Sequence, residues 1–217
     1  MAWGSTQAMW ERTIWPRIKN HFPVRSVLEI ACGMGRCSRY LIPHCDKFVG
    51  IDVVDKCVES CRVKMPSGKF VVTDGLTIPV ESDSIDFVFS WDSLVHCDMV
   101  TVLAYLKEIK RVLSPEGSAF IHHSNWGSRE GDNKASGWRA KGVSAQDVSF
   151  QAAACGLDVD AQEVVSWGEH LWSDAFTTLS KSDKYGKSVT PVMNNGFGQE
   201  VSGARFLEEL YASVAQR

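Results

Sequence analysis

The stretch Ser26-Val27-Leu28-Glu29-Ile30-Ala31-Cys32-Gly33-Met34-Gly35-Arg36 constrains the fold more than any other part of this chain. It reads as a short apolar strand with an acid inside it, a turn with two glycines, then a helix opening near Arg36. Glycines at a strand-to-helix turn let a ligand approach the backbone where a side chain would block it. The next apolar run, Lys47 to Asp52, ends in an acid 23 positions after Glu29. An acid at about that spacing is how a nucleotide-binding fold grips a pair of ribose hydroxyls. A Gly-x-Gly turn alone is weak evidence; turn, helix and terminal acid together are much stronger.

The remaining pattern is an alternation of strand and helix. Strands are expected near 26–31, 47–52, 69–73, 84–91 and 118–123, with helices near 36–43, 55–64 (capped by Asp55) and 98–113 between them. In the last helix Val102, Leu106, Ile109 and Leu113 form one stripe opposite Lys107, Glu108, Lys110 and Arg111. A helix from Ser144 to Cys155 and strands near 157–167 and 174–180 follow. This predicts a doubly wound α/β fold: a seven-stranded, mostly parallel sheet with helices on both faces and an antiparallel late strand. One domain over 1–217 is expected, with an aromatic helical leader at 1–23, a glycine-bearing loop or lid at 124–142 and a C-terminal helix at 204–215. The leader either covers a ligand pocket or packs on the flank.

Composition narrows the partners. A net charge of −3 leaves no basic footprint for nucleic acid. No apolar run reaches the roughly 20 residues that span a bilayer. The N-terminus lacks a basic start followed by an apolar block, and the seven scattered cysteines form no zinc-ligand spacing. A cytoplasmic protein without nucleic-acid or membrane partners is the expectation.

Ligands of such sheets bind beyond the carboxyl ends of the strands. Ala31 to Gly35, Asp52, Asp74, Ser90 to Asp92 and His122 to Asn125 fall there. A dinucleotide turn needs a third small residue, where this chain has Ser38. Glu29 would repel a pyrophosphate but suits a cationic nucleoside carrying an amino acid.

On these residues the chain resembles the class I S-adenosylmethionine-dependent methyltransferases. Glu29 to Gly35 stands for the family's acid-x-Gly-x-Gly-x-Gly motif, with Ala31 in place of its first glycine. Asp52 stands for the ribose acid, Asp74 for the acid near adenine, Asp86 to Trp91 for the fourth-strand motif, and Leu113 to Gly117 for the turn before the fifth strand. The resemblance implies S-adenosylmethionine as cofactor, held by Glu29, Ala31, Gly33, Gly35, Asp52, Val53, Asp74, Gly75, Ser90 and Trp91. The segments 89–96, 120–125 and 138–140 resemble a subgroup that methylates hydroxyls of sugars and glycans. That implies a saccharide acceptor, contacted by Asn125, Trp138 and Arg139.

An alcohol acceptor must lose a proton, to a side-chain base or at a metal-bound site such as Mg2+. His123, His96 and Asp92 are the candidates. Adjacent strand residues point to opposite faces, so one of His122 and His123 meets the pocket. His123, nearer the strand end, is expected to be that one. Metal ligands are not identifiable, and the oligomeric state stays open. Alternatives are N- or C-methylation of another metabolite, a binding protein that kept the fold without the chemistry, and a nicotinamide-dependent sugar enzyme. Ser38 and Glu29 disfavour the last.

Overall fold

The computed structural model describes residues 4–128, 138–182, 185–201 and 203. The expected C-terminal helix (204–215) and the middle of the expected lid lie outside these residues. The chain opens with α1 (Thr6–Met9), a π-helical turn (Trp10–Ile14) and α2 (Trp15–Ile18). Then come β1 (Val24–Ile30), α3 (Ser38–Leu41), β2 (Cys45–Asp52), α4 (Asp55–Lys64), β3 (Lys69–Val72), β4 (Ile85–Leu94) and α5 (Met99–Val112). The order closes with β5 (Leu113–Ser124), α6 (Ala145–Ala154), β6 (Leu157–Trp167), β7 (His170–Lys181) and β8 (Val192–Met193).

Among the described residues eight strands form one sheet in the order β3-β2-β1-β4-β5-β7-β6-β8. The first five pair in parallel, and β7 runs antiparallel to β5 and β6. The fold is thus the Rossmann-like arrangement with an antiparallel late strand. The expected count of seven is corrected to eight. The extra strand has two residues, paired with Glu163 and Val164 of β6, which is too short to leave a period in the sequence.

Strand alternation divides the core. Phe87, Phe89, Trp91 and Phe120 pack with Ile14, Ile18 and Val58 on one face. Leu28, Val88, Ala119 and Ile121 pack with Leu106, Ile109 and Val148 on the other. The leader covers the flank of the first face: Trp10 stacks on Tyr40 with centroids 5.1 Å apart. Arg17 anchors it there, bonding Glu163 of β6 and Glu200 of the helical segment 197–201. Two helix starts follow from capping: Asp98 accepts from the Thr101 amide at 2.8 Å, and Ser144 from the Asp147 amide at 3.0 Å. Asp55 is the first residue of α4, not its cap. The helix expected to open at Arg36 starts at Ser38 and lasts four residues, which leaves Arg36 in the turn. No described helix is long and apolar enough to cross a membrane.

Candidate functional site

β1 lies inside the sheet, with β2 on one side and β4 on the other, so its carboxyl end opens between their two loops. There Ala31, Gly33 and Gly35 all take left-handed backbone angles, with φ of 56°, 53° and 80°. The Cys32 amide donates to the Ile51 carbonyl at 3.0 Å and ties the turn to β2. The two glycines do different work. A Cβ on Gly33 would meet nothing within 4 Å, so this backbone is bare toward the cleft. A Cβ on Gly35 would lie 2.2 Å from Cε of Met65 and 3.2 Å from Sγ of Cys61, so that glycine lets the turn pack on α4. Ala31 holds a conformation that costs an L-residue on the order of 1 kcal/mol.

Three carboxylates stand around the turn. Asp52 accepts from the Gly33 amide at 2.7 Å through Oδ2 and from the Val54 amide at 2.9 Å through Oδ1. Each oxygen keeps a lone pair for a further donor. Glu29 is buried beneath the turn and accepts from the Ser38 hydroxyl. Burial raises its carboxyl to about 8, against the opposing pull of Ser38 and Arg36. Asp74 is exposed and closes its own turn, accepting from the amides of Leu76 and Thr77 and the Thr77 hydroxyl. Those bonds hold its carboxyl below the usual range. Met34, Val53 and Leu76 leave apolar side chains exposed around this end of the sheet, and Val53 lies against Gly75.

The opposite wall comes from the end of β4. Trp91, Asp92 and Ser93 join Glu29, Gly33, Arg36 and Cys37 in lining a cavity of about 320 Å3. Asp92 is left-handed at φ 56°. Its Oδ2 pairs with the Arg36 guanidinium at 3.0 Å, and its amide donates to Nδ1 of His122 at 3.2 Å. Behind it lies a buried polar chain. Nε2 of His122 bonds Oδ2 of Asp174 at 2.9 Å, and Arg139 reaches the same oxygen at 2.9 Å. Arg139 also lies 3.9 Å from Asp92 and stacks over Trp167. Burial pushes the Asp174 carboxyl up, but His122 and Arg139 overcome this and bring it down to about 2. Because the Asp92 amide is a donor, Nδ1 of His122 must accept, so its proton is on Nε2.

Several expected site residues are placed elsewhere. His122, not His123, shares the cleft's face, because β5 alternates with Phe120 on that side. His123 is fully buried on the other face between the Ser124 carbonyl and the Thr177 hydroxyl, and burial lowers it to about 4. Ser90 is buried within β4 and does not line the cleft; its hydroxyl finds no partner among the described residues. Asn125 lines a different cavity of about 850 Å3, its amide engaged by the Trp172 carbonyl and the Ala145 amide. Arg139 lies on a loop as expected, but its side chain is only 9% exposed and pairs with the buried Asp174. His96 is exposed and bonds the Trp138 carbonyl at 2.8 Å, and Trp138 itself is 89% exposed.

Arg36 and Asp174 complete the site and were not singled out from sequence, whereas His122 was weighed against His123, which was preferred. Asp174 had a signal: an acid inside the apolar run Ser173-Asp174-Ala175-Phe176 needs a buried partner. Among the described residues no group of three or more His, Cys, Asp or Glu side chains is placed to hold a metal. The acids nearest the cleft's far wall are already paired with Arg36 and Arg139, so the set does not fit Mg2+.

Residues 27–117 match the family described as "Methyltransferase domain". Comparison with curated sequences finds no match. Among solved structures, a Pyrococcus horikoshii protein is similar at 21% identity, with 81% of this chain and 91% of that one covered and a TM-score of 0.64. An S-adenosylmethionine-dependent methyltransferase of Clostridium acetobutylicum is similar at 12% identity, covering 82% and 92%, with a TM-score of 0.65. A TehB-like S-adenosylmethionine-dependent methyltransferase of Corynebacterium glutamicum is similar at 18% identity, covering 73% and 80%, with a TM-score of 0.57. The domain match is confined to residues 27–117, and the solved structures share the fold.

Proposed function

We propose that this chain binds S-adenosylmethionine at the Glu29–Gly33–Asp52 turn and methylates a hydroxyl of a small polar acceptor of the saccharide type. One observation carries the cofactor reading: the bare Gly33 backbone lies between two carboxylates and a guanidinium. Asp52 has lone pairs left for two ribose hydroxyls. Glu29 offers a carboxyl to an ammonium group, and Arg36 is the one cation among the residues lining the cavity. Met34, Val53 and Leu76 are apolar surface for a purine ring. Asp74 keeps a caging role in its own turn and contacts the adenine amine only with an oxygen already shared.

The bound cofactor supplies an electrophilic methyl carbon on a positively charged sulfur. The new O–C bond forms as the S–C bond breaks, and positioning provides much of the rate. The proton lost by the hydroxyl needs an acceptor at the cleft wall. Asp92 faces the cleft, whereas His122 is closed off by the Asp92 amide and His123 points to the other face. Asp92 is therefore the base in this reading, with His96 at the rim. The exposed Trp138 ring beside His96 is a stacking surface for a sugar.

A screen of sugars, polyols and amines for labelled-methyl incorporation tests this. Label in a sugar or polyol, lost in Asp92→Ala, is the expected result. Label only in amines, or full turnover by Asp92→Ala, overturns the acceptor and base assignments.

A further inference from the structure

We propose that Arg36 is a latch shared between Asp92 and the cofactor, so that filling the cofactor site releases Asp92 to work on the acceptor. The inference rests on the cofactor reading above. Arg36 and Asp92 meet across the cleft at 3.0 Å, with side chains 34% and 26% exposed. Both line the same cavity as Gly33 and Glu29. A ligand with an amino-acid end brings its own carboxylate to this cleft, and Arg36 is the lining cation available to it. Two anions then compete for one guanidinium.

Asp92 does not depend on Arg36 for its position. Its amide is held by His122, which is held by Asp174. Its Oδ1 lies 3.9 Å from Arg139, itself anchored to Asp174. Arg36 has weaker ties: one ion pair, to Asp92, with the Cys37 thiol and the buried Glu29 carboxyl beside it. The guanidinium is thus the partner that moves and the carboxylate the one that stays. Oδ2, once released, is free to accept the hydroxyl proton. Chemistry at Asp92 becomes conditional on a loaded cofactor site, which imposes an order of binding on the two substrates. His122 and Asp174 are positioning residues in this scheme: they act through Asp92.

The test is calorimetric binding of two probes, S-adenosylmethionine and its decarboxylated form, which lacks only the competing carboxylate. Asp92→Asn removes one competitor and keeps a side chain that tolerates left-handed φ. Asp92→Gly serves the same end at that backbone angle should the first variant not fold. Either variant is expected to bind S-adenosylmethionine roughly two- to fivefold more tightly than wild type, in the range of a partly exposed ion pair. The decarboxylated probe should change less than twofold. In Arg36→Gln, adding Asp92→Asn should leave both affinities unchanged. If S-adenosylmethionine binds wild type but no more tightly to the Asp92 variants, the latch is overturned and the cofactor reading stands. If wild type binds neither probe, both fall.

Discussion

Glu29→Gln is the most informative single change, because the buried carboxyl couples stability to pH in a known direction. In the folded chain its carboxyl is raised from 4.5 to about 8, burial being the largest cause. A folded value above the unfolded one means that the native state holds the proton more tightly. Its contribution is fully present below about pH 4.5, is lost as pH rises toward 8, and is flat above. At 1.36 kcal/mol per unit the whole span amounts to roughly 5 kcal/mol. The glutamine has the shape of the protonated acid, accepts from Ser38 in the same way, and does not titrate. Urea unfolding of both proteins from pH 5 to 9 should give stabilities within about 1 kcal/mol at pH 5. By pH 8 the variant should lead by several kcal/mol, on the order of the linkage span. A difference between the two that does not change with pH would refute the reasoning. The same carboxyl must ionise to meet a cationic ligand, so cofactor binding to wild type near pH 7 should release a proton that Glu29→Gln does not.

The left-handed turn and the buried acid give further expectations. Ala31→Gly relieves the strain at φ 56° and should raise unfolding stability by about 1 kcal/mol without weakening cofactor binding. Gly33→Ala and Gly35→Ala each add strain of about that size, and calorimetry should separate them. The methyl at 33 enters the bare cleft and weakens cofactor binding more than stability; the methyl at 35 pushes Met65 aside and acts on stability first. Asp174→Asn should destabilise by roughly 3–5 kcal/mol in denaturant, since it strands the buried Arg139 cation. In wild type the depressed Asp174 carboxyl stabilises above about pH 4, and that contribution, roughly 2 kcal/mol, should disappear as pH falls through about 2.

Local chemistry explains which features were legible in the sequence. The parallel strands are buried on both faces, so Val27-Leu28 and Phe87-Val88-Phe89 read as apolar runs. The turn read clearly because glycine at 33 and 35 and a small residue at 31 suit left-handed angles. Alternation correctly required His122 and His123 to face opposite ways. It did not assign faces, which depended on Phe120 packing with Phe87 and Phe89. The Arg36–Asp92 pair spans 56 positions, and no local pattern announces an ion pair closed by tertiary contact. Asp74 read as a ligand through its match to the acid near adenine, and the same carboxylate satisfies three donors of its own turn. β4 continues past Trp91 to Leu94, which carries Asp92 into the cleft wall.

Calorimetric titration of the wild-type chain and Asp52→Ala with S-adenosylmethionine and with NAD tests the central claim most directly. One S-adenosylmethionine should bind per chain, with at least tenfold weaker binding in a folded Asp52→Ala and no heat from NAD. A chain that binds NAD instead, or binds S-adenosylmethionine equally well without the Asp52 carboxylate, would contradict it.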